Sequence, residues 1–249
     1  MTSSARDPNA TDGPTQGPGA GRLTAIFSKC PRPGEVKTRL TPPWAPEAAA
    51  ELAEAMLRDT VERCRGLGAF RTVLFFAPLA ERGWFESAFP GVELVSQEGA
   101  DLGERLAGGF ARALARPGVD SVVAVGSDQP TLTPRTIEEA HGALEDGADV
   151  VLAPDAGGGY VLIGLRAPCA RLFTGVRMSS DGMCAATVGL ARELGLSVHL
   201  LPPGRDVDVA ADVEALAREL GASPEFSPHA PDYPRHTAAW LKRARPFPS

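Results

Sequence analysis

Lysine is scarce in this sequence. It occurs only at Lys29, Lys37 and Lys242, and every other basic residue is arginine. The 25 basic residues are outnumbered by 31 acidic ones, for a formal net charge of −6. That shortage of positive charge argues against a nucleic-acid backbone binder, which needs a basic face, and against a polybasic membrane-surface protein. Cysteine is sparse too. Cys30, Cys64, Cys169 and Cys184 are scattered and form no CxxC or zinc-type spacing, so free thiols in a reducing compartment are expected. No apolar run approaches the length of a membrane-spanning helix, and the first residues contain no apolar stretch of a secretory signal. A cytoplasmic protein without a membrane span is the expectation.

What is present suits a soluble enzyme. The 249 residues are 43% hydrophobic and 22% charged, enough for one large or two small domains with a full core. Residues 1–22, rich in Gly, Pro, Ser, Thr and Asp, are expected to form a disordered tail. Residues 23–222 alternate strand-like and helix-like patterns, and 223–249 form a Pro-rich appendage that ends in an amphipathic stretch, Thr237–Arg245. Strands are expected at Leu23–Ser28, Arg71–Ala77, Val92–Ser96, Ser121–Gly126, Asp149–Ala153, Tyr160–Leu165 and Ser197–Leu201. Helices are expected at Pro46–Arg65, Leu102–Ala115, Pro134–Leu144, Ser180–Leu194 and Ala210–Leu220, with Thr133 and Pro134 as N-cap and first helical residue. Alternation of this kind implies a mostly parallel sheet covered on both faces. Ligands of such sheets bind outside the carboxyl ends of the strands, so polar residues directly after a strand are the candidates for chemistry.

Five segments meet that condition. After the first strand, Pro31, Pro33 and Gly34 stiffen a turn that leads into Lys37-Thr38-Arg39. With Lys29, this loop offers three cations and several backbone N–H groups to a diphosphate. It lacks Walker A spacing, and a solvated basic turn would look the same. The apolar run Val122–Val125 reads as a central strand, and Gly126-Ser127-Asp128 follows it. A carboxylate at that position suits a hard cation such as Mg²⁺, or else an Asx turn. Asp206 and Asp208 share one face of an extended segment and repel unless a cation or water separates them. They would complete a metal site with Asp128, while Asp212 suits the first turn of the following helix. Pro154–Tyr160 contains Gly157, Gly158 and Gly159, which let backbone approach a ligand or simply make a flexible hairpin loop. Asp101 either caps the helix after it or, with its glycine-rich approach, borders a base or sugar pocket.

The order of these segments resembles one family. Lys29–Leu40, Gln97–Leu106, Gly126–Pro134, Pro154–Leu165, Leu172–Ser180 and Asp206–Asp208 are similar to the motifs of bacterial glycosyltransferase-like proteins long catalogued as a domain of unknown function. That family lies within the nucleotide-diphospho-sugar transferase superfamily, and the resemblance runs from about Leu23 to Leu220. It implies the GT-A fold, a Rossmann-like, mostly parallel α/β sheet with one antiparallel insertion. The first loop also resembles that of 2-phospholactate guanylyltransferases and other nucleotidyltransferases. There, cations hold the nucleotide and two aspartates hold the metal, which implies Mg²⁺ or Mn²⁺ on Asp128 and Asp208. Three departures stand out: Gly157 where the family has aspartate, Met178 where it has tryptophan, and Val209-Ala210-Ala211 where it has Thr-Pro-Glu. The first removes an acid, a role that Asp155 could fill after a loop shift.

The resemblance therefore implies a metal-dependent transferase. Lys37 and Arg39 would stabilise the leaving group and Asp155 would act on the acceptor. Lys29, Pro33, Gly34, Lys37, Thr38, Arg39, Asp101, Ser127, Gly158 and Gly159 would surround the nucleotide. A glycosyltransferase using a nucleotide sugar leads. A nucleotidyltransferase that uses a nucleoside triphosphate and releases pyrophosphate is the alternative. A non-catalytic nucleotide-binding protein, motivated by Gly157, is the third reading. Base, sugar, acceptor and oligomeric state are not specified by any motif.

Overall fold

The computed structural model describes residues 21–178, 180–222 and 227–244. Strands β1 (Arg22–Lys29), β2 (Arg71–Ala77), β3 (Glu93–Ser96), β4 (Ser121–Gly126), β5 (Val150–Pro154), β6 (Tyr160–Leu165) and β7 (Val198–Leu200) make one sheet in the order β3-β2-β1-β4-β6-β5-β7. All neighbours are parallel except β6, which runs antiparallel to both β4 and β5. The expected fold class, including its one antiparallel insertion, is the observed one.

Helices follow the strands: α1 (Pro46–Gly66), α2 (Arg82–Ala88), α3 (Leu102–Leu114), α4 (Pro134–Glu145), α5 (Arg171–Thr174), α6 (Met183–Glu193), α7 (Ala210–Ala222) and α8 (Arg235–Arg243). Alternation along β1 shows why both faces are covered. Ile26 packs with Leu57 and Val61 of α1 and Ile137 of α4, whereas Leu23 and Ala25 pack with Leu106 and Phe110 of α3. Residues i and i+2 share a face, and a parallel strand must bury both.

The sequence missed the short α2 and α5, whose seven and four residues carry too little periodicity to be seen. The helix expected from Ser180 starts at Met183, because Ser180–Gly182 form a turn in which Met183 N donates to Ser180 O. The expected disordered tail falls outside the described residues up to residue 20, and Arg22 already opens β1. No helix among the described residues is long and apolar enough to cross a membrane.

A third apolar cluster matters most for the site. Trp240 and Leu241 of α8 pack with Val213 and Leu216 of α7, with Leu52 and Met56 of α1, and with Leu40, Trp44 and Val207. Leu40 immediately follows Arg39, and Val207 lies between Asp206 and Asp208. The C-terminal helix thus braces both the basic loop and the late acidic segment. Its own start is capped by the buried Asp59, which accepts from His236 N at 3.0 Å and Thr237 N at 2.8 Å. Trp240 is 3% exposed and stacks obliquely on Trp44 at 5.9 Å. Trp240→Ala should lower unfolding stability by about 3–5 kcal/mol, the usual cost of a buried aromatic deletion. Urea unfolding measures it, and a loss below about 1 kcal/mol would show that α8 braces nothing.

Candidate active site

The carboxyl ends of β1, β4 and β5 open into a cavity of about 870 Å³. Its lining unites the first loop (Lys29, Glu35–Arg39), the end of β4 (Gly126–Gln129), the β5–β6 loop (Asp155–Gly157, Gly159) and the late segment (Arg205, Asp206, Asp208). Backbone pairing forces the last two together. Gly204 N donates to Pro154 O at 2.8 Å and Val207 N donates to Asp128 O at 3.1 Å. Residues 204–208 therefore cross the ends of β5 and β4, and alternation turns Asp206 and Asp208 towards Asp128. Asp212 accepts from the backbone N–H groups of Asp208 and Val209, at 2.9 and 2.8 Å, and so caps α7 while fixing this segment.

Asp128, Asp206 and Asp208 each offer an oxygen, all within 4.8 Å of one another. Among them sits the Lys37 ammonium, 2.8 Å from Asp128 Oδ2 and 2.8 Å from Asp208 Oδ1. Burial opposes the charge on this lysine, but Asp128 and Asp208 outweigh it and hold its pKa above the ordinary range. Burial likewise pushes the Asp128 carboxyl up, and Lys37 reverses that and leaves it below its usual value. Gly126 makes room for the arrangement: a Cβ there would lie 2.7 Å from Asp128 Oδ1. Arg39, largely exposed, reaches Asp208 at 3.6 Å.

Asp206 is pushed up to about 7, first by burial and then by Asp128, Asp208 and Asp155. Because the folded state holds this proton more tightly than the unfolded chain, the associated stability is full below about pH 4 and is lost as pH rises through about 7. In chelator, the melting temperature should therefore fall between pH 5 and pH 8 more steeply in the wild type than in Asp206→Asn. Equal slopes would show that Asp206 titrates normally.

In the β5–β6 loop the Asp155 side chain turns towards position 157. Asp155 Oδ2 accepts from Gly157 N at 2.9 Å, so its carboxylate folds back over residue 157. A Cβ at position 157 would lie 2.8 Å from that oxygen. The Asp155 carboxylate thus occupies space that a side chain at 157 would enter. Gly158, at φ 86°, packs so closely on the Asp181 carbonyl that no other residue fits.

The expected site residues divide. Lys29, Lys37, Thr38, Arg39, Ser127, Asp128, Asp155, Gly159 and Asp208 all line the cavity. Pro33, Gly34, Asp101 and Gly158 are not among its lining residues. Asp101 caps α3 by accepting from Glu104 N at 2.9 Å, and Gly34 turns the first loop at φ 78°. Asp206 joins the metal-type cluster, as its pairing with Asp208 had suggested, although the resemblance implied only Asp128 and Asp208 as ligands. Its signal was the two-residue spacing from Asp208. Asp181, also in the lining, was not among the expected site residues.

Fold and cleft together define an α/β protein of the nucleotide-diphospho-sugar transferase architecture. Residues 60–180 match the family described as "Uncharacterized protein conserved in bacteria (DUF2064)", the family whose motifs the sequence resembles. A solved structure from Desulfovibrio desulfuricans G20, provisionally described as a nucleotide-diphospho-sugar transferase, aligns with a TM-score of 0.78 at 28% identity, over 90% of this chain and 98% of that one. CMP:2-keto-3-deoxy-manno-octonic acid synthetase complexed with CTP aligns at TM-score 0.51 and 12% identity, over 81% of this chain and 98% of that one. The 4-diphosphocytidyl-2C-methyl-D-erythritol synthase of Anaerococcus prevotii DSM 20548 aligns at 0.53 and 8%, over 82% and 99%. At those identities, these two share the fold alone. No curated protein matches the chain.

Proposed function

We propose that this protein is a metal-dependent transferase of a nucleotide-linked group, acting as a glycosyltransferase on a nucleoside-diphosphate sugar. The observation that carries this reading is the convergence of the Asp128, Asp206 and Asp208 carboxylates, two of them already bridged by the Lys37 ammonium, between a basic loop and the Asp155 loop. Three carboxylates are a hard-oxygen donor set, and an ammonium ion already satisfies two of them, so the residues fit Mg²⁺ or Mn²⁺. A divalent ion held there would neutralise charge on the diphosphate leaving group.

The protein's own groups do the rest. Lys29, Arg39 and the backbone of the first loop hold the diphosphate and stabilise the charge that grows on it. Asp155 accepts the proton of the acceptor hydroxyl as it attacks.

Charge favours this reading over nucleotidyl transfer to a phosphorylated acceptor. Beyond the central cluster, the cavity is lined by Asp155 and Asp181, with the exposed Arg205 as the cation on that side. These carboxylates would repel a phosphate acceptor but not a neutral hydroxyl compound. Product analysis separates the two chemistries. Incubated with Mn²⁺ and sugar nucleotides, or with nucleoside triphosphates, the protein should release a nucleoside diphosphate from the former. Pyrophosphate release from a triphosphate would overturn glycosyl transfer.

A further inference from the structure

Lys37 is the sole non-glycine residue with positive φ among the described residues, at φ 47° and ψ 38°. Left-handed backbone is uncommon for such a residue and persists only where its surroundings hold it. Here the turn starts the short helical turn Thr38–Leu40, anchored by the buried Leu40. It sends the lysine into the cleft, where its side chain is only 10% exposed, while the neighbouring Arg39 side chain stays 70% exposed. The Lys37 ammonium bridges Asp128 Oδ2 and Asp208 Oδ1, oxygens of two of the three carboxylates that would hold a divalent ion.

Two cations cannot occupy the space between the same two oxygens. Without any cation, the three carboxylates would repel one another. Either the lysine or the metal must therefore fill the centre. Lys37 leaves readily only when another anion receives it, because a buried ammonium without a partner is costly. The diphosphate of a nucleotide is such an anion, and it lies against the same loop under the function proposed above.

We propose that Lys37 is an exchangeable internal counter-ion: it holds Asp128 and Asp208 in the nucleotide-free protein, and the site admits a divalent metal together with a diphosphate rather than alone. The ligand of this site is then the metal–diphosphate complex. Free metal competes with the lysine, and the diphosphate removes that competitor by binding it. This inference rests on the metal-dependent reading of the site.

The scarcity of lysine makes the exchange directly visible. With only Lys29, Lys37 and Lys242 in the chain, lysine labelled with ¹³C at Cε gives three side-chain signals in the full-length wild type, and Lys37→Met identifies the one that belongs to Lys37. The Lys37 signal should stay in place when Mg²⁺ is added alone and move when Mg²⁺ and inorganic pyrophosphate are added together. In parallel, Mn²⁺ titration followed by electron paramagnetic resonance should show at least tenfold tighter binding to nucleotide-free Lys37→Met than to wild type. Lys242→Met, on the exposed side of α8 and outside the cavity lining, leaves the bridge intact and should bind like wild type.

Displacement of the Lys37 signal by Mg²⁺ alone would overturn the exchange, as would equal Mn²⁺ affinity in Lys37→Met and wild type. In either case, loss of Mn²⁺ binding in Asp128→Asn would leave the metal site itself standing. Failure of every form to bind Mn²⁺, with or without pyrophosphate, would instead remove the metal-dependent reading and the exchange with it. Thermal melting in chelator verifies that Lys37→Met is folded. If it is not, the lysine signals of the wild type decide alone, with Lys37 identified by its loss in Lys37→Arg.

Discussion

Asp128→Ala should abolish metal-dependent nucleotide binding and lower donor turnover on the order of 10³-fold, the scale lost with a principal electrostatic contact to developing charge. The fold should survive. The Asp128 side chain stands at the cleft, 31% exposed, and the bond that ties its segment to the late acidic segment uses its backbone carbonyl rather than its carboxylate. Lys37 also keeps Asp208 as a partner in the variant, so no ammonium is stranded, and the large cost of breaking a buried pair outright does not arise. Nucleoside diphosphate release in Mn²⁺ reads the activity, and circular dichroism on heating reads the fold. A folded Asp128→Ala that retains wild-type turnover would place the metal elsewhere or dispense with it.

The second large effect concerns the exchange of acid between positions 157 and 155. Asp155→Ala should reduce kcat about 10²–10⁴-fold, the usual range for removal of a general base, with donor KM little changed. Gly157→Asp alone should not raise activity. Its Cβ would lie 2.8 Å from Asp155 Oδ2, and a second carboxylate beside the first would raise one pKa and disturb the loop. In the Asp155→Ala background that obstruction is gone, and Gly157→Asp should recover part of the lost rate. Recovery in the double variant and none in the single one would mark the two positions as alternative seats for one acid. If Gly157→Asp alone increased turnover, the wild-type site would instead be short of an acid, and the non-catalytic reading would gain.

The fold was legible because its signals are local. Seven strands are bounded by turn residues, Val122–Val125 is apolar on both faces as a central parallel strand requires, and Thr133-Pro134 announces its helix. The reversal of β6 could not be obtained from periodicity, which is identical for parallel and antiparallel strands, and entered only through the resemblance. Within the site, residues directly following a strand were found, since topology sends them to the cleft. Asp128 is the clearest case.

What stayed hidden depends on distant pairing. That Lys37 would turn from the expected diphosphate into the carboxylates needs the contacts across 91 and 171 residues that only the folded chain supplies. The pairing of Asp206 with Asp208 was legible from their spacing, but the backbone bond that brings them to Asp128, Val207 N to Asp128 O, was not. Asp155 was expected to need a loop shift to reach the position of the lost acid. In the folded chain an Asx-type bond to Gly157 N brings the Asp155 carboxylate against position 157, a contact the sequence did not show.

The central claim, a site built for a nucleotide diphosphate with a divalent metal, is tested most directly by thermal shift. The protein would be melted with nucleoside mono-, di- and triphosphates and sugar nucleotides, each with Mn²⁺ and with chelator, since ligand that binds the folded state raises the melting temperature. The account predicts a rise with a nucleoside diphosphate and its sugar conjugate that requires Mn²⁺ and disappears in Asp128→Ala. Equal shifts in Mn²⁺ and chelator, or no shift with any nucleotide, would contradict it.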